Sequence, residues 1–108
     1  MFSILINAYA CSPDMGSEPG MAWNWCVNLA NYCELHIITE GEFRDKIEAV
    51  VPTLPQGRNM HFYYNPVSEE VRKMCWNQGD WRFYKHYHAW QYRTYAVSYT
   101  HLRAHETT

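Results

Sequence analysis

The sequence predicts an α/β fold with a partial parallel sheet, its elements following the order β-α-β-α-β-α. Three short runs, at residues 2–8, 34–39 and 60–64, are rich in apolar and aromatic side chains, as strands are. Segments of helical composition separate these runs, and a helical crossover between consecutive strands implies parallel pairing. The order amounts to half of a doubly wound sheet.

The first strand leads through a loop into the first helix. Residues 2–8 form a nearly continuous apolar run, which predicts a central strand covered on both faces. Residues 9–17 carry proline, aspartate and glycine and therefore indicate a loop. We expect the helix to start at Glu18, with Ser17 as its N-cap and Pro19 in its first turn.

Helical spacing divides the first helix into a buried and an exposed face. The side chains predicted to be buried are Ala22, Trp25, Cys26 and Leu29. The side chains predicted to lie opposite, on the wetter face, are Asn24, Asn28 and Asn31. We expect Trp23 to pack on a neighbouring element.

The remaining helices are predicted from their boundaries. A weaker helix covers residues 43–51 and ends before Pro52. A short helix is expected at residues 67–76, and Asp80 is expected to cap a longer, aromatic helix. The side chains of that helix predicted to share a buried face are Phe83, Tyr87 and Trp90.

Composition restricts the classes of function. The chain has 108 residues, 47% of them hydrophobic and 19% charged, which suits one small domain with a core. With a net charge of −2, the chain lacks the excess of basic residues that is typical of a nucleic-acid-binding protein. Four cysteines without a Cys-x-x-Cys pair, and no secretory signal pattern, favour a reducing cytoplasmic compartment. No apolar run reaches the roughly 20 residues that cross a bilayer, while peripheral membrane association stays open.

The loop after the first strand is the candidate site. The start of a helix that follows a parallel strand presents unpaired N–H groups and a positive dipole end, which favour an anion. Gly16 and Gly20 would let a ligand approach the backbone, although glycine in such a loop often serves only a tight turn. The negative charge of the Glu18 carboxylate would repel a bare phosphate, whereas the carboxylate can accept hydrogen bonds from the hydroxyl groups of a sugar.

Other chemistries fit this sequence less well. Cys11 follows a strand as a phosphatase nucleophile would, but no arginine closes the loop. The glycines lack the Gly-x-Gly-x-x-Gly spacing of a dinucleotide site, even with Glu40 after the second strand. His86 and His88 point apart on a helix, and His36 is expected to be a hydrogen-bonded core residue, so no metal site is predicted.

Two segments resemble a known enzyme family. Residues 11–20 read Cys-Ser-Pro-Asp-Met-Gly-Ser-Glu-Pro-Gly and precede Trp-Asn-Trp at residues 23–25, and residues 87–91 read Tyr-His-Ala-Trp-Gln. This pattern resembles the family 4 group of retaining, nucleotide-sugar-dependent glycosyltransferases. The resemblance implies the first part of the Rossmann-like, three-layer N-terminal domain of a two-domain GT-B enzyme.

The family supplies the expected function and partners. It implies transfer of a sugar from a nucleotide-sugar to a hydroxyl of a glycan or lipid-linked acceptor with retention, in glycan or polysaccharide biosynthesis, without a further cofactor. Gly16, Ser17 and Glu18 are the candidate binding residues for donor phosphate or substrate in the interdomain cleft. Nucleotide binding and the paired glutamates of Glu-x-x-x-x-x-x-x-Glu belong to the second domain. The resemblance also admits an enzyme at the inner face of the membrane.

The end of the chain is set apart from this fold. Residues 97–108 resemble a peptide that arises when sequencing-adapter DNA is translated, so we expect residues 1–96 to be the partial domain and 97–108 an artefactual or disordered tail. Two alternatives stay open. One is a different Rossmann-like nucleotide-binding module, and the other is a non-catalytic piece with no activity of its own.

Overall fold

The computed structural model describes residues 2–77 and 79–106, the last ten of them as backbone. The chain divides into two compact units, Met1–Pro66 and Val67–Thr108. The elements are β1 (Ser3–Asn7), α1 (Ser17–Leu29), β2 (Glu34–Thr39), α2 (Arg44–Val50), β3 (Met60–Tyr64), α3 (Glu69–Trp76) and α4 (Arg82–Glu106).

The first unit contains a three-stranded parallel sheet in the order β1-β2-β3. Leu5 pairs with His36, and Ile37 pairs with Phe62, so the strands are aligned without a bulge. The α/β class and the parallel pairing are confirmed. The predicted bounds of the second and third strands are also confirmed, because each lies between clear turn residues, whereas β1 is one residue shorter at each end than the predicted run.

Helices α1 and α2 pack on one face of this sheet. The core combines side chains from both helices with alternate residues of the strands, as a half-buried sheet face requires. The buried members are Cys11, Trp23, Cys26, Ala30, Cys33, Leu35, Ile37, Ile47 and Met60. Trp23 stacks on Phe62 of β3 with ring centroids 6.1 Å apart, which confirms its packing on a neighbouring element.

The predicted buried face of α1 is confirmed at Cys26 and wrong at Trp25 and Leu29. Trp25 is 66% exposed and Leu29 is also exposed, whereas Trp23, Cys26 and Ala30 are buried. Apolar residues occur on every side of this helix, so two different stripes have helical spacing, and tertiary packing selects the one that carries Trp23. The exposed positions of Asn24, Asn28 and Asn31 are confirmed.

The second helix ends as a tighter turn. α2 stops at Val50, and a 3-10 turn follows at Val51–Thr53 with Pro52 near its start. A proline fits there because the first residues of a helical turn need no N–H partner within the turn. Pro52 therefore ends the α-helix, as predicted, but does not end the helical backbone.

In the second unit, polar side chains precede both helices. Ser68 caps α3, where its Oγ accepts a hydrogen bond from the Val71 N–H at 3.3 Å. The Asp80 carboxylate accepts from the Arg82 N–H at 3.1 Å and from its guanidinium at 2.8 Å, which confirms the predicted cap of the aromatic helix. These bonds from Arg82 hold the pKa of Asp80 below its ordinary value.

The aromatic helix buries the predicted face in part. Trp90 is fully buried, while Phe83 and Tyr87 are half-buried with ring centroids 5.8 Å apart. The backbone of α4 continues to Glu106, inside the segment that the sequence sets apart, and residues 107–108 lie outside the described residues. Among the residues described, no helix has the length and apolar content needed to cross a bilayer.

Candidate functional site

The loop between β1 and α1 starts at the carboxyl edge of the sheet. The carbonyl oxygen of Tyr9 accepts hydrogen bonds from the backbone N–H of Glu40 and from Oγ1 of Thr39, each at 3.0 Å. Ala8 also donates to the Ile38 carbonyl at 2.9 Å. These bonds tie the first residues of the loop to the end of β2. In parallel sheets, ligands bind at this edge.

Two further contacts fix the rest of the loop. The Ser12 N–H donates to the Pro19 carbonyl at 3.1 Å, so the loop folds back on the first turn of α1. Gly20 lies so close to the backbone carbonyl of Met15 that a Cβ at this position would overlap with it. The segment between these contacts is therefore held in place, and its tip faces outward.

The three predicted site residues lie at this tip. Gly16, Ser17 and Glu18 are consecutive and exposed at the N-terminus of α1. Within the described part of the chain, no side chain caps the helix, and because Pro19 has no N–H, the donors of its first turn without a capping partner are the backbone N–H groups of Ser17 and Glu18. The arrangement can accept an anionic oxygen on the backbone and a hydroxyl group on the Glu18 carboxylate.

The predicted N-cap is wrong by one residue. Gly16 occupies the cap position with extended backbone, and Ser17 is the first helical residue. Ser17 has a φ of 54°, a left-handed conformation that is costly for a residue with a side chain. Sites that bind ligands often hold such strained residues, and sequence pattern alone does not reveal them.

Sequence reasoning did not predict the burial of two polar residues beside this loop. Ser12 is fully buried, and its hydroxyl has no hydrogen-bond partner among the described residues. Glu40, directly after β2, is only 2% exposed although it carries a carboxylate. A single serine in a loop carries no signal of burial. Buried polar groups of this kind are usually hydrogen-bonded, so the Ser12 hydroxyl is an unusual feature of this loop.

Replacing Ser12 with alanine should therefore leave the free energy of unfolding unchanged or raise it by up to about 1 kcal/mol, because a hydroxyl without a partner is removed. Urea denaturation followed by circular dichroism measures the change. Thr39→Val is the matched control, since the Thr39 hydroxyl donates to Tyr9 and its loss should destabilise the protein. A loss of stability in Ser12→Ala equal to that of the control would contradict the assignment.

The cysteine at the start of the loop does not suit nucleophilic chemistry. Cys11 is fully buried and belongs to the core with Cys26 of α1. A hydrogen bond with Cys26, together with burial, raises the pKa of the Cys11 thiol. Because the thiolate is the reactive form, the geometry opposes the phosphatase interpretation.

Histidines lie on the sheet face opposite α1 and α2. Nδ1 of His36 lies 3.0 Å from the Tyr63 hydroxyl, which confirms His36 as a hydrogen-bonded core residue. Nε2 of His61 lies 2.8 Å from the Glu34 carboxylate, and the two imidazole rings stack 5.0 Å apart. In the part of the chain that the structure describes, no three histidine, cysteine or acidic side chains are arranged to hold a metal ion.

A pocket of about 230 Å³ lies away from the candidate site. Its lining residues come from α2, the turn that follows it and β3, and they are Ile47, Glu48, Val51, Pro52, Met60, Phe62 and Tyr64. Burial raises the pKa of Tyr64 to about 12, and the Arg44 guanidinium lies 4.7 Å from its ring centroid. None of the predicted site residues lines this pocket, which is mostly apolar.

Comparison of the chain with protein-family models, curated proteins and solved structures finds no match. The candidate site is thus defined by its own geometry. It consists of the exposed tip at Gly16, Ser17 and Glu18, with the buried Ser12 and Glu40 beside the same edge of the sheet.

Proposed function

We propose that the chain is the opening part of the Rossmann-like N-terminal domain of a retaining GT-B glycosyltransferase. In this proposal Gly16, Ser17 and Glu18 form part of the cleft floor that meets the donor phosphate and the acceptor. One observation carries it: an exposed, uncapped helix start at the carboxyl edge of a parallel sheet, next to the buried Ser12 hydroxyl. The reaction in this proposal is the one implied by the resemblance of residues 11–25 to that family.

The tip offers two kinds of chemical group, and each suits a different part of the substrates of a nucleotide-sugar-dependent transferase. The N–H groups of the first turn of α1 and the helix dipole favour the negatively charged donor diphosphate. The Glu18 carboxylate is an acceptor only and suits sugar hydroxyl groups, which donate hydrogen bonds. A site for inorganic phosphate alone would be weakened by this carboxylate, so a ligand with both kinds of group fits best.

The tip would act on the charge that develops during transfer. In the proposed reaction the bond between the anomeric carbon and the donor phosphate oxygen breaks, and the nucleoside diphosphate leaves with the electron pair. The acceptor oxygen forms the new bond to that carbon, and its proton passes to the leaving phosphate. Backbone N–H groups at Gly16 and Ser17 would stabilise the charge on the leaving phosphate. Nucleotide recognition would come from the second domain.

The Gly16→Val variant tests this role in the complete enzyme encoded by the gene. We expect turnover to fall about 100-fold, because a side chain would block the approach of the phosphate to the backbone. The fold should persist, since a Cβ at Gly16 meets no atom of the described residues within 4 Å and its φ of −86° suits any residue. Turnover is measured as release of nucleoside diphosphate, and the thermal midpoint reports folding.

Asn24→Val is the matched control, because Asn24 is exposed on the same helix two turns from the tip. It should retain both turnover and thermal midpoint. Full turnover in Gly16→Val with an unchanged thermal midpoint would show that the loop is not part of the site. Reduced turnover in the control as well would mean that any change on α1 disturbs the enzyme, and the cleft role would then have no support.

A further inference from the structure

A groove runs between α2 and β3, the outer strand of the sheet. Alternate residues of β3 form one wall, α2 and the turn after it form the other, and the pocket of about 230 Å³ lies between them. Ile47 and Met60 are the buried residues of its lining, and Phe62 and Tyr64 line it from the strand. A cavity of roughly 150 Å³ holds a benzene molecule, so this pocket has room for one large apolar side chain.

β3 is also an edge strand of the described sheet. The Asn65 N–H donates to the Thr39 carbonyl at 2.9 Å, so the backbone groups of every second residue, counted back from Asn65, point toward β2. The backbone groups of Phe62 and Tyr64 therefore point the other way, where no strand of the described residues pairs with β3. The side chains of the same two residues line the groove. Backbone hydrogen-bonding groups and the apolar pocket thus lie side by side.

The sequence of β3 does not block this edge. Proteins commonly protect an exposed edge with lysine, proline or a β-bulge. β3 reads Met-His-Phe-Tyr-Tyr, and its pairing with β2 runs in register without a bulge. The edge is therefore suited to accept another strand.

We propose that this groove binds an extended peptide segment of a partner protein, which adds a strand to the edge of β3 and places one large apolar side chain in the pocket. Recognition by strand addition combines main-chain hydrogen bonds with pockets for alternate side chains. The backbone of β3 offers the first, and the space between β3 and α2 offers the second. This inference concerns these two elements and does not depend on the proposed transferase activity.

Charge at the rim of the groove favours an uncharged side chain in the pocket. Nε of Arg44 lies 3.1 Å from the Glu48 carboxylate, and the guanidinium of Arg44 also lies over the Tyr64 ring. An acidic side chain in the pocket would be repelled by Glu48, which lines it, and a basic one would compete with Arg44 for that carboxylate. An apolar side chain leaves the ion pair between Arg44 and Glu48 intact.

A second copy of β3 fits the groove less well than a separate peptide does. Two copies of the strand could pair through their backbones, but Met60 is buried and Phe62 stacks on Trp23 of its own chain. Neither side chain is therefore available to enter the pocket of a neighbouring copy. An extended peptide supplies both a backbone for the edge and a side chain for the pocket.

Selection of a phage-displayed random peptide library on the 108-residue chain tests the inference. We expect the enriched peptides to share one large apolar residue, such as leucine or phenylalanine, within a run of strand-forming residues. A synthetic copy of an enriched peptide should lose about tenfold or more in affinity when that residue is replaced with alanine, because most of its apolar burial is lost. Fluorescence anisotropy of the labelled peptide measures the affinity.

N-methylation of the same peptide tests strand addition without any change to the protein. Only alternate amides of an added strand face its neighbour. Methyl groups on one alternate set of amides should therefore abolish binding, and methyl groups on the other set are the matched control and should change it little. Bound peptide should also slow the hydrogen exchange of the Phe62 and Tyr64 N–H groups, measured by NMR, and leave exchange in β1 unchanged.

Val51→Trp should fill the pocket and weaken peptide binding about tenfold or more, since Val51 lines it. Thr53→Trp is the matched control, because Thr53 is exposed in the same turn and does not line the pocket. It should bind as the unmodified chain does, and circular dichroism reports the folding of both variants.

Four results would overturn the inference. They are no enrichment of peptides, enrichment without a shared apolar residue, equal effects of the two methylated sets, and exchange protection outside β3. A concentration-dependent dimer that protects the Phe62 and Tyr64 N–H groups without peptide would identify a second copy as the occupant and overturn it too.

Discussion

Replacing Trp23 with alanine is expected to lower the free energy of unfolding by about 3–5 kcal/mol, as truncation of a large buried aromatic does. Trp23 is 6% exposed and stacks on Phe62, so its loss opens a cavity between α1 and β3. Urea denaturation followed by circular dichroism measures the effect. The stability of a small α/β unit is of the same order, so the variant is expected to be largely unfolded at room temperature.

Trp25→Ala is the internal control for this prediction. The side chain removed is the same, but Trp25 is 66% exposed, so the unfolding free energy should change by no more than about 0.5 kcal/mol. A larger loss in Trp25→Ala than in Trp23→Ala would contradict the observed orientation of α1 and restore the face predicted from sequence.

Gly20→Ala is expected to destabilise the protein by about 2 kcal/mol or more, because the new Cβ would overlap with the backbone carbonyl of Met15. Helix propensity alone predicts the opposite, a gain of about 1 kcal/mol for alanine in a helix. The overlap with the Met15 carbonyl, rather than helix propensity, decides the sign of the change in stability. Thermal and urea unfolding of the purified variant measure the difference.

Gly16→Ala is the matched control, because a Cβ there meets no described atom within 4 Å. Its stability should stay close to that of the unmodified chain. If Gly20→Ala were as stable as Gly16→Ala, the close approach that fixes the loop would be refuted. The effect also bears on the site, since any shift of Met15 displaces the adjacent tip at Gly16, Ser17 and Glu18.

The strands were predictable because their composition favours strands over helices and loops. The runs that became β2 and β3 are apolar or aromatic and bounded by turn residues, so their ends follow from composition. The face of α1 was not predictable in the same way. Trp23 and Trp25 are equally large and apolar, and only contact with Phe62 and the other core residues decides which one is buried.

The position of the candidate site stays a prediction, and the structure adds details that the sequence did not indicate. A glycine-bearing loop between a strand and a helix indicated Gly16, Ser17 and Glu18, and they lie together in the structure. The left-handed backbone at Ser17 and the buried Ser12 hydroxyl arise from how the loop folds back on α1. Such features depend on contacts within the folded loop, such as the bond from the Ser12 N–H to the Pro19 carbonyl, which the residue pattern alone does not indicate.

The most direct test of the proposed transferase is to read the source DNA that encodes Ala96 and the sequence downstream of it. We expect a frame that completes the first α/β domain and continues into a second one, with two glutamates in the spacing Glu-x-x-x-x-x-x-x-Glu. A genomic frame that closes at codon 108, or that leads into a domain without this pair, would contradict the assignment.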